Sequence, residues 1–210
     1  MNYINDLISF NPELANIKPE IEKFVEILYE AAISRNTIFT CGNGGSASDS
    51  EHIAGELLKS FIIKRGPDND FAKKLASFFG DEGVKLASGL EEGIKAIPIV
   101  SISSFLSAYS NDRDWNMAYA QFVYVMGESK DVLIGISASG NALNVNNALM
   151  VAVAKGMKRI LLTGNGNGIC VKNADIVIRA PAAATFRTQE YHTKIYHAVC
   201  AEVEEIIFRR

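Results

Sequence analysis

His52 and Glu56 stand four positions apart in this 210-residue chain. On a helix that spacing puts an imidazole and a carboxylate on one face, where they can share a proton or hold a metal ion. Just upstream, Cys41-Gly42-Asn43-Gly44-Gly45-Ser46-Ala47-Ser48 is a polar, glycine-rich turn of the kind that aims backbone N–H groups at an anion. The other two of the three histidines, His192 and His197, lie in the last helical stretch with Gln189 and Glu190. His192 reads as the structural one, exposed or at a subunit contact.

A second turn, Ser137-Ala138-Ser139-Gly140-Asn141, joins a strand to a helix N-terminus, where free N–H groups and the helix dipole favour a phosphate. The alternative is an ordinary strand-to-helix turn with serine as N-cap. The glycine-plus-lysine pattern of a nucleotide P-loop is missing, which points to a phosphorylated metabolite rather than a nucleoside triphosphate. Gly42, Gly44 and Ala47 also fit a dinucleotide fingerprint, but that motif needs a following strand and an acidic residue about 20 positions on. Phe61-Ile62-Ile63-Lys64 stands there instead, so no nucleotide cofactor is expected.

The elements that must position these residues alternate between strand and helix. Apolar runs predict strands at 37–40, 96–103, 131–137, 158–163 and 174–179. Helical spacing predicts helices at 4–8, 17–35, from the first glycine turn to about Ile63, 114–126, 142–155 and about Thr188–Phe208, with a short one from Ser103 to Asp112. Residues 64–96 read as an insertion with one helix, 71–79, broken at Gly80–Gly83, that borders or covers the site as a lid or subunit-contact element, the alternative being a plain surface excursion. The pattern implies a single α/β domain over 1–210, a three-layer, flavodoxin-like sandwich around a five-stranded parallel sheet with a helical N-terminal extension, 1–35. Ligands of such sheets sit beyond the carboxyl ends of the strands.

Composition narrows the function. With 48% hydrophobic and 21% charged residues and a net charge of −3, the chain has the balance of a soluble globular protein, not of a nucleic-acid or membrane binder. The N-terminus lacks the pattern of a signal peptide, and no apolar run is long enough to span a bilayer. Cys41, Cys170 and Cys200 are odd in number and have no metal-binding spacing, so a reducing, cytoplasmic setting is expected.

Four motifs in this order and spacing, CGNGGSASDSEHIAGEL, Ser-Asn-Asp at 110–112, DVLIGISASGN and TQEYHTKIYH, resemble the sugar isomerase (SIS) domain. Within it they are similar to the sedoheptulose 7-phosphate, or phosphoheptose, isomerases. The resemblance implies that Asn43, Gly44, Gly45, Asn111 and Asp112 line the sugar site and that Ser137, Ala138 and Ser139 hold the phosphate. It implies Glu56 as base, also touching substrate, and His197 as acid. Where the enzyme carries zinc, the implied ligands are His52, Glu56, Gln189 and His197, with Gln189 facing the substrate too. Homotetramers with active sites between subunits are also implied. Non-catalytic SIS sensors or replication-initiation adaptors, and isomerases of another sugar phosphate, are the alternatives; the close adaptors lack the glutamate that this chain keeps as Glu56.

Departures from the family pattern fall on Ala138 and Ala142, which remove two hydroxyls from the phosphate turn, on Ser60 in place of an arginine, and on Phe186 in place of an aspartate. Gln189 and His197 would lie about 12 Å apart along a regular helix. Two ligands each about 2 Å from one zinc do not fit that separation. Either Gln189 precedes the helix or the two come from different chains, and both alternatives place the site at a subunit interface.

Overall fold

A computed structural model describes residues 2–209. Five strands form one parallel sheet: β1 (Ile38–Gly42), β2 (Ala96–Pro98), β3 (Val132–Ile136), β4 (Lys158–Thr163) and β5 (Ile176–Arg179), in the order β2-β1-β3-β4-β5. The helices are α1 (Tyr3–Phe10), α2 (Lys18–Ile33), α3 (Gly45–Leu58), α4 (Asn69–Ser88), α5 (Ser103–Asp112), α6 (Trp115–Met126), α7 (Leu143–Ala154) and α8 (Thr185–Phe208). Alternate strand residues face opposite layers. Ile38, Ile134, Ile160 and Ile178 pack against α1, α2, α3 and α8. Phe39, Leu133 and Leu161 pack against α5, α6 and α7. This is the expected three-layer α/β sandwich, with the strand order reversing between β1 and β3. Ligands of doubly wound sheets bind at that reversal, and both glycine/serine turns leave the sheet there. Among the described residues no helix is long and apolar enough to cross a membrane.

Several boundaries differ from those the sequence predicts, each for a physical reason. The second strand stops at Pro98, because proline gives no N–H to the ladder and tolerates only the sheet edge, where β2 lies. A 3-10 turn, Ile99–Ser101, follows. Helix α5 begins after Ile102 without a side-chain cap. Helix α3 ends at Leu58 rather than near Ile63, because the Glu204 carboxylate accepts from the N–H groups of Phe61, Ile62 and Ile63 and from Arg65 Nη1. Helix α4 bends at Gly80 (φ 57°, ψ −133°), a backbone shape open to glycine, and continues to Ser88 instead of stopping at the bend. Helix α8 starts at Thr185; Thr188 is fully buried and its hydroxyl donates to the Ala182 carbonyl.

His192 is a core residue, neither exposed nor at a surface. It is 0% exposed, and its Nε2 meets the Thr163 carbonyl at 3.2 Å, tying α8 to the end of β4. Burial pushes its pKa from 6.5 down to about 4, against the opposing effect of that hydrogen bond. The folded state therefore resists protonation while the unfolded chain takes a proton near 6.5. This contribution is fully present above that pH and is lost as pH falls through 6.5 towards 4, up to about 3 kcal/mol. Denaturation midpoints measured from pH 7.5 to 4.5 should fall more steeply for wild type than for His192→Gln. Equal slopes would remove the assignment; other groups, including Asp49 with its opposite sign, cancel in the difference.

Candidate active site

Helices α3 and α8 pack side by side on one face of the sheet, and this contact brings three of the expected residues together. His52 Nε2 lies 3.3 Å from Glu56 Oε1 and 3.3 Å from His197 Nε2. The first distance follows from i, i+4 spacing within α3; the second exists only because α8 crosses it. Glu56 Oε2 is 3.0 Å from Lys59 Nζ, one turn on along α3. Burial pushes the His197 pKa below its ordinary value, helped by the neighbouring His52 and opposed by Glu56. The Phe61 ring stands 5.7 Å from the His197 ring.

Behind His52 lie two residues that sequence reasoning missed. Tyr196 OH is 3.0 Å from His52 Nδ1 and 3.3 Å from Asp49 Oδ1. Tyr196 is 1% and Asp49 8% exposed. Burial pushes the Asp49 carboxyl up to about 6, opposed by the tyrosine hydrogen bond and by His52. The available signal was spacing: Asp49 is one turn before His52 on α3, and Tyr196 adjoins His197.

The two turns form a second centre. Gly44 adopts φ 56°, ψ −123°, which an L side chain resists, as the chain enters α3. The Asn43 amide turns inward and pairs twice with Asn144 at the start of α7, at 2.9 and 2.8 Å. Tyr119 OH donates to the Gly42 carbonyl at 2.5 Å. Asn144 is 2% exposed and has neither charge nor imidazole to mark it in the sequence, yet it ties the first turn to the second. In the second turn, Ser137 Oγ accepts from the Ala142 N–H (3.3 Å) and Ser139 Oγ accepts from the Asn141 N–H (3.2 Å). Each hydroxyl proton is left for an outside acceptor. Ala138 offers only backbone: its carbonyl accepts from the Gly164 N–H at 3.0 Å.

Other expected residues are not brought to the imidazole cluster. Asn111 and Asp112 are exposed at the end of α5, where the Asn111 amide donates to Asp112 Oδ1 at 3.0 Å. Gln189 lies inside α8, so it does not precede the helix. Its amide packs on Gly45, where an added Cβ would come within 2.5 Å of Nε2. Gly45 and His52 are about 10 Å apart along α3, so Gln189 and His197 serve different ends of the same helix pair.

Nitrogen and oxygen donors around a tetrahedral zinc with bonds of about 2.0–2.1 Å stand about 3.3–3.4 Å apart. The His52–Glu56 and His52–His197 separations match that spacing. Yet among the described residues no group of three or more His, Cys, Asp or Glu side chains is arranged to hold a metal ion. The donors suit zinc in type and in two separations, but one chain does not close a cage.

A family model, the SIS domain, matches residues 121–202. That stretch of the chain is similar to the SIS domain. Over 200 residues it is 29% identical to the phosphoheptose isomerase of Shewanella frigidimarina (strain NCIMB 400), covering 93% of this chain and 88% of that protein. The structure of phosphoheptose isomerase GmhA from Neisseria gonorrhoeae superposes with a TM-score of 0.74 at 26% identity, over 96% of this chain and 94% of that one. A phosphoheptose isomerase from Francisella tularensis, 23% identical, has the same fold at a TM-score of 0.74, with 97% and 95% covered. The resemblance carried by the four motifs therefore extends across nearly the whole chain.

The β3–α7 turn leans on the loop after β4. The Cys170 N–H donates to the Gly140 carbonyl at 3.0 Å, and a Cβ on Gly168 would fall 2.2 Å from the Gly140 backbone. Gly168→Ala is expected to lower stability by about 1–3 kcal/mol, as overpacking does. Gly166→Ala, with nothing within 4 Å of its Cβ, should not. Urea midpoints of the two variants decide it; equal midpoints would refute the close approach.

Proposed function

We propose that this chain is an aldose–ketose isomerase of a phosphorylated sugar, converting sedoheptulose 7-phosphate to a D-glycero-D-manno-heptose 7-phosphate. The observation that carries the reading is the meeting of one carboxylate and two imidazoles at 3.3 Å on α3 and α8, on a sheet whose β3–α7 turn presents free hydroxyl donors. The likeness to phosphoheptose isomerases supports the substrate class.

In this reading Glu56 Oε1 takes the C–H proton beside the carbonyl, leaving an enediol(ate), while Lys59 holds Oε2. His197, whose depressed pKa favours the neutral ring, passes a proton between the neighbouring sugar oxygens. The proton then returns to the adjacent carbon, with no net redox change. Ser137, Ser139 and the first N–H groups of α7 hold the phosphate; Asn43, Gly44, Gly45, Asn111 and Asp112 belong to the sugar side. When bound by His52, Glu56, His197 and a Gln189, zinc would polarise two sugar oxygens.

The reading includes an assembly, a homotetramer with sites between subunits. Glu56 stands about 16 Å along α3 from Gly45. Gln189 and His197 are divided in the same way. A groove of about 550 Å³ beside His197, lined by Leu7, Phe10, Phe61, Ile62 and Ala201, is open to a neighbour. Phe71, Phe78, Phe79 and Val84 on α4 are exposed, as a contact or lid element would be. The three cysteines are free and buried, which suits a cytoplasmic setting.

Glu56→Gln should reduce turnover of sedoheptulose 7-phosphate at least about 100-fold while inorganic phosphate binding is retained; substantial residual turnover would overturn the role. Specific activity should fall when the protein is diluted below its assembly constant. A fully active dilute monomer, seen by light scattering beside the assay, would eliminate the shared site.

A further inference from the structure

Tyr196 has one hydroxyl proton and three polar neighbours: His52 Nδ1 at 3.0 Å, Asp49 Oδ1 at 3.3 Å, and the Thr193 hydroxyl. Thr193 spends its own proton on the Gln189 carbonyl at 3.1 Å. Two arrangements compete. If the tyrosine donates to His52 Nδ1, then His52 carries its proton on Nε2. If it donates to Asp49, it is free to accept from His52 Nδ1–H, and Nε2 keeps its lone pair.

The groups that would be left unsatisfied decide between them. Asp49 is 8% exposed, its Oδ2 has no hydrogen-bond partner, and its Oδ1 has only Tyr196. Taking the tyrosine proton away would strand a buried carboxylate with no donor, a large cost. A charged acceptor also makes the stronger bond. Glu56, by contrast, loses little without a proton from His52, since it keeps Lys59. We propose that Asp49 and Tyr196 are positioning residues which hold His52 as the Nδ1–H tautomer and turn the Nε2 lone pair towards Glu56 and His197. The chain runs Asp49 carboxylate, tyrosine O–H, imidazole N–H, and ends on a nitrogen that can only accept.

This gives the 3.3 Å contact between His52 Nε2 and Glu56 Oε1 a meaning. Two lone pairs that face each other call for a proton or a cation between them, and His197 Nε2 approaches the same nitrogen at 3.3 Å. Outer partners of this kind fix which nitrogen of a histidine is offered to a ligand. The inference deepens the isomerase reading by naming what prepares its zinc-binding edge, and it rests on that reading only for the purpose of the lone pair.

Long-range proton–nitrogen correlation spectra of ¹⁵N-histidine-labelled, metal-free protein read the tautomer directly, and three histidines keep them assignable. Wild type should show His52 protonated on Nδ1. Tyr196→Phe should move it towards Nε2–H, and Asp49→Asn should do the same by releasing the tyrosine proton to the ring. His192, buried on the Thr163 carbonyl, should keep its Nε2–H pattern in each variant and so report that the fold is intact. Zinc affinity, measured by competition with a chromophoric chelator, should fall about 10- to 100-fold in Tyr196→Phe. His52 protonated on Nε2 in wild type, or a tautomer and zinc affinity unchanged by both variants, would overturn the proposal. An expected tautomer in a protein that fails to turn over the heptose phosphate would refute the isomerase reading alone.

Discussion

A carboxylate taken almost out of water must be met by donors, and in this protein Glu204 is met by four. It is 4% exposed; burial alone would raise its pKa, but the Phe61 N–H, Arg65 and the next two N–H groups outweigh that and hold the carboxyl below its usual value. The consequence for the site is geometric. The N–H groups of residues 61–63 that could have prolonged α3 are claimed by α8, so the chain leaves the helix just after Glu56 and Lys59. Arg65 seals the loop by donating to the carbonyls of Glu92, Ile63 and Lys59 and lying over the Phe208 ring at 3.8 Å. Phe61 is thereby set against His197. Breaking one side of such a pair leaves a buried charge uncompensated, so the crossing of α3 and α8 is held by a contact well outside the chemistry it arranges.

The same interaction explains where the sequence could and could not be read. The strands were legible because Ile38–Gly42 and Val132–Ile136 are apolar on both faces, as strands covered by two helical layers must be. His52 and Glu56 were legible because their spacing is local to one helix. The end of α3 was not, since its cause is a carboxylate more than a hundred residues away. Tyr196 and Asn144 were hidden for the same reason: a tyrosine beside a histidine and an asparagine at a helix start have no distinguishing local pattern until the partner element is in place. Asn111 and Asp112 entered through the family resemblance alone, and the structure leaves them paired with each other at the far end of α5.

The site falls into two centres joined by the length of α3. At its N-terminus stand the Gly44–Gly45 turn, the Asn43–Asn144 amide pair and Gln189; towards its C-terminus stand His52, Glu56 and His197. A helix is a rigid spacer of about 1.5 Å per residue, so no side-chain motion in one chain merges them. The two groups Gln189 and His197 are therefore not gathered at one point of the described chain.

The alanines of the β3–α7 turn are the remaining departure from the resembled pattern, and the hydrogen-bond pattern shows how the turn tolerates them. A serine hydroxyl can accept and donate at once. Ser137 and Ser139 use their acceptor capacity on the N–H groups of Ala142 and Asn141, which locks the turn and leaves both O–H vectors uncommitted. Ala138 and Ala142 would have added donors but not shape, because Gly140 at φ 68° and the Gly164 and Cys170 N–H bonds to the Ala138 and Gly140 carbonyls already set the curve. The turn therefore keeps its shape with two fewer hydroxyls.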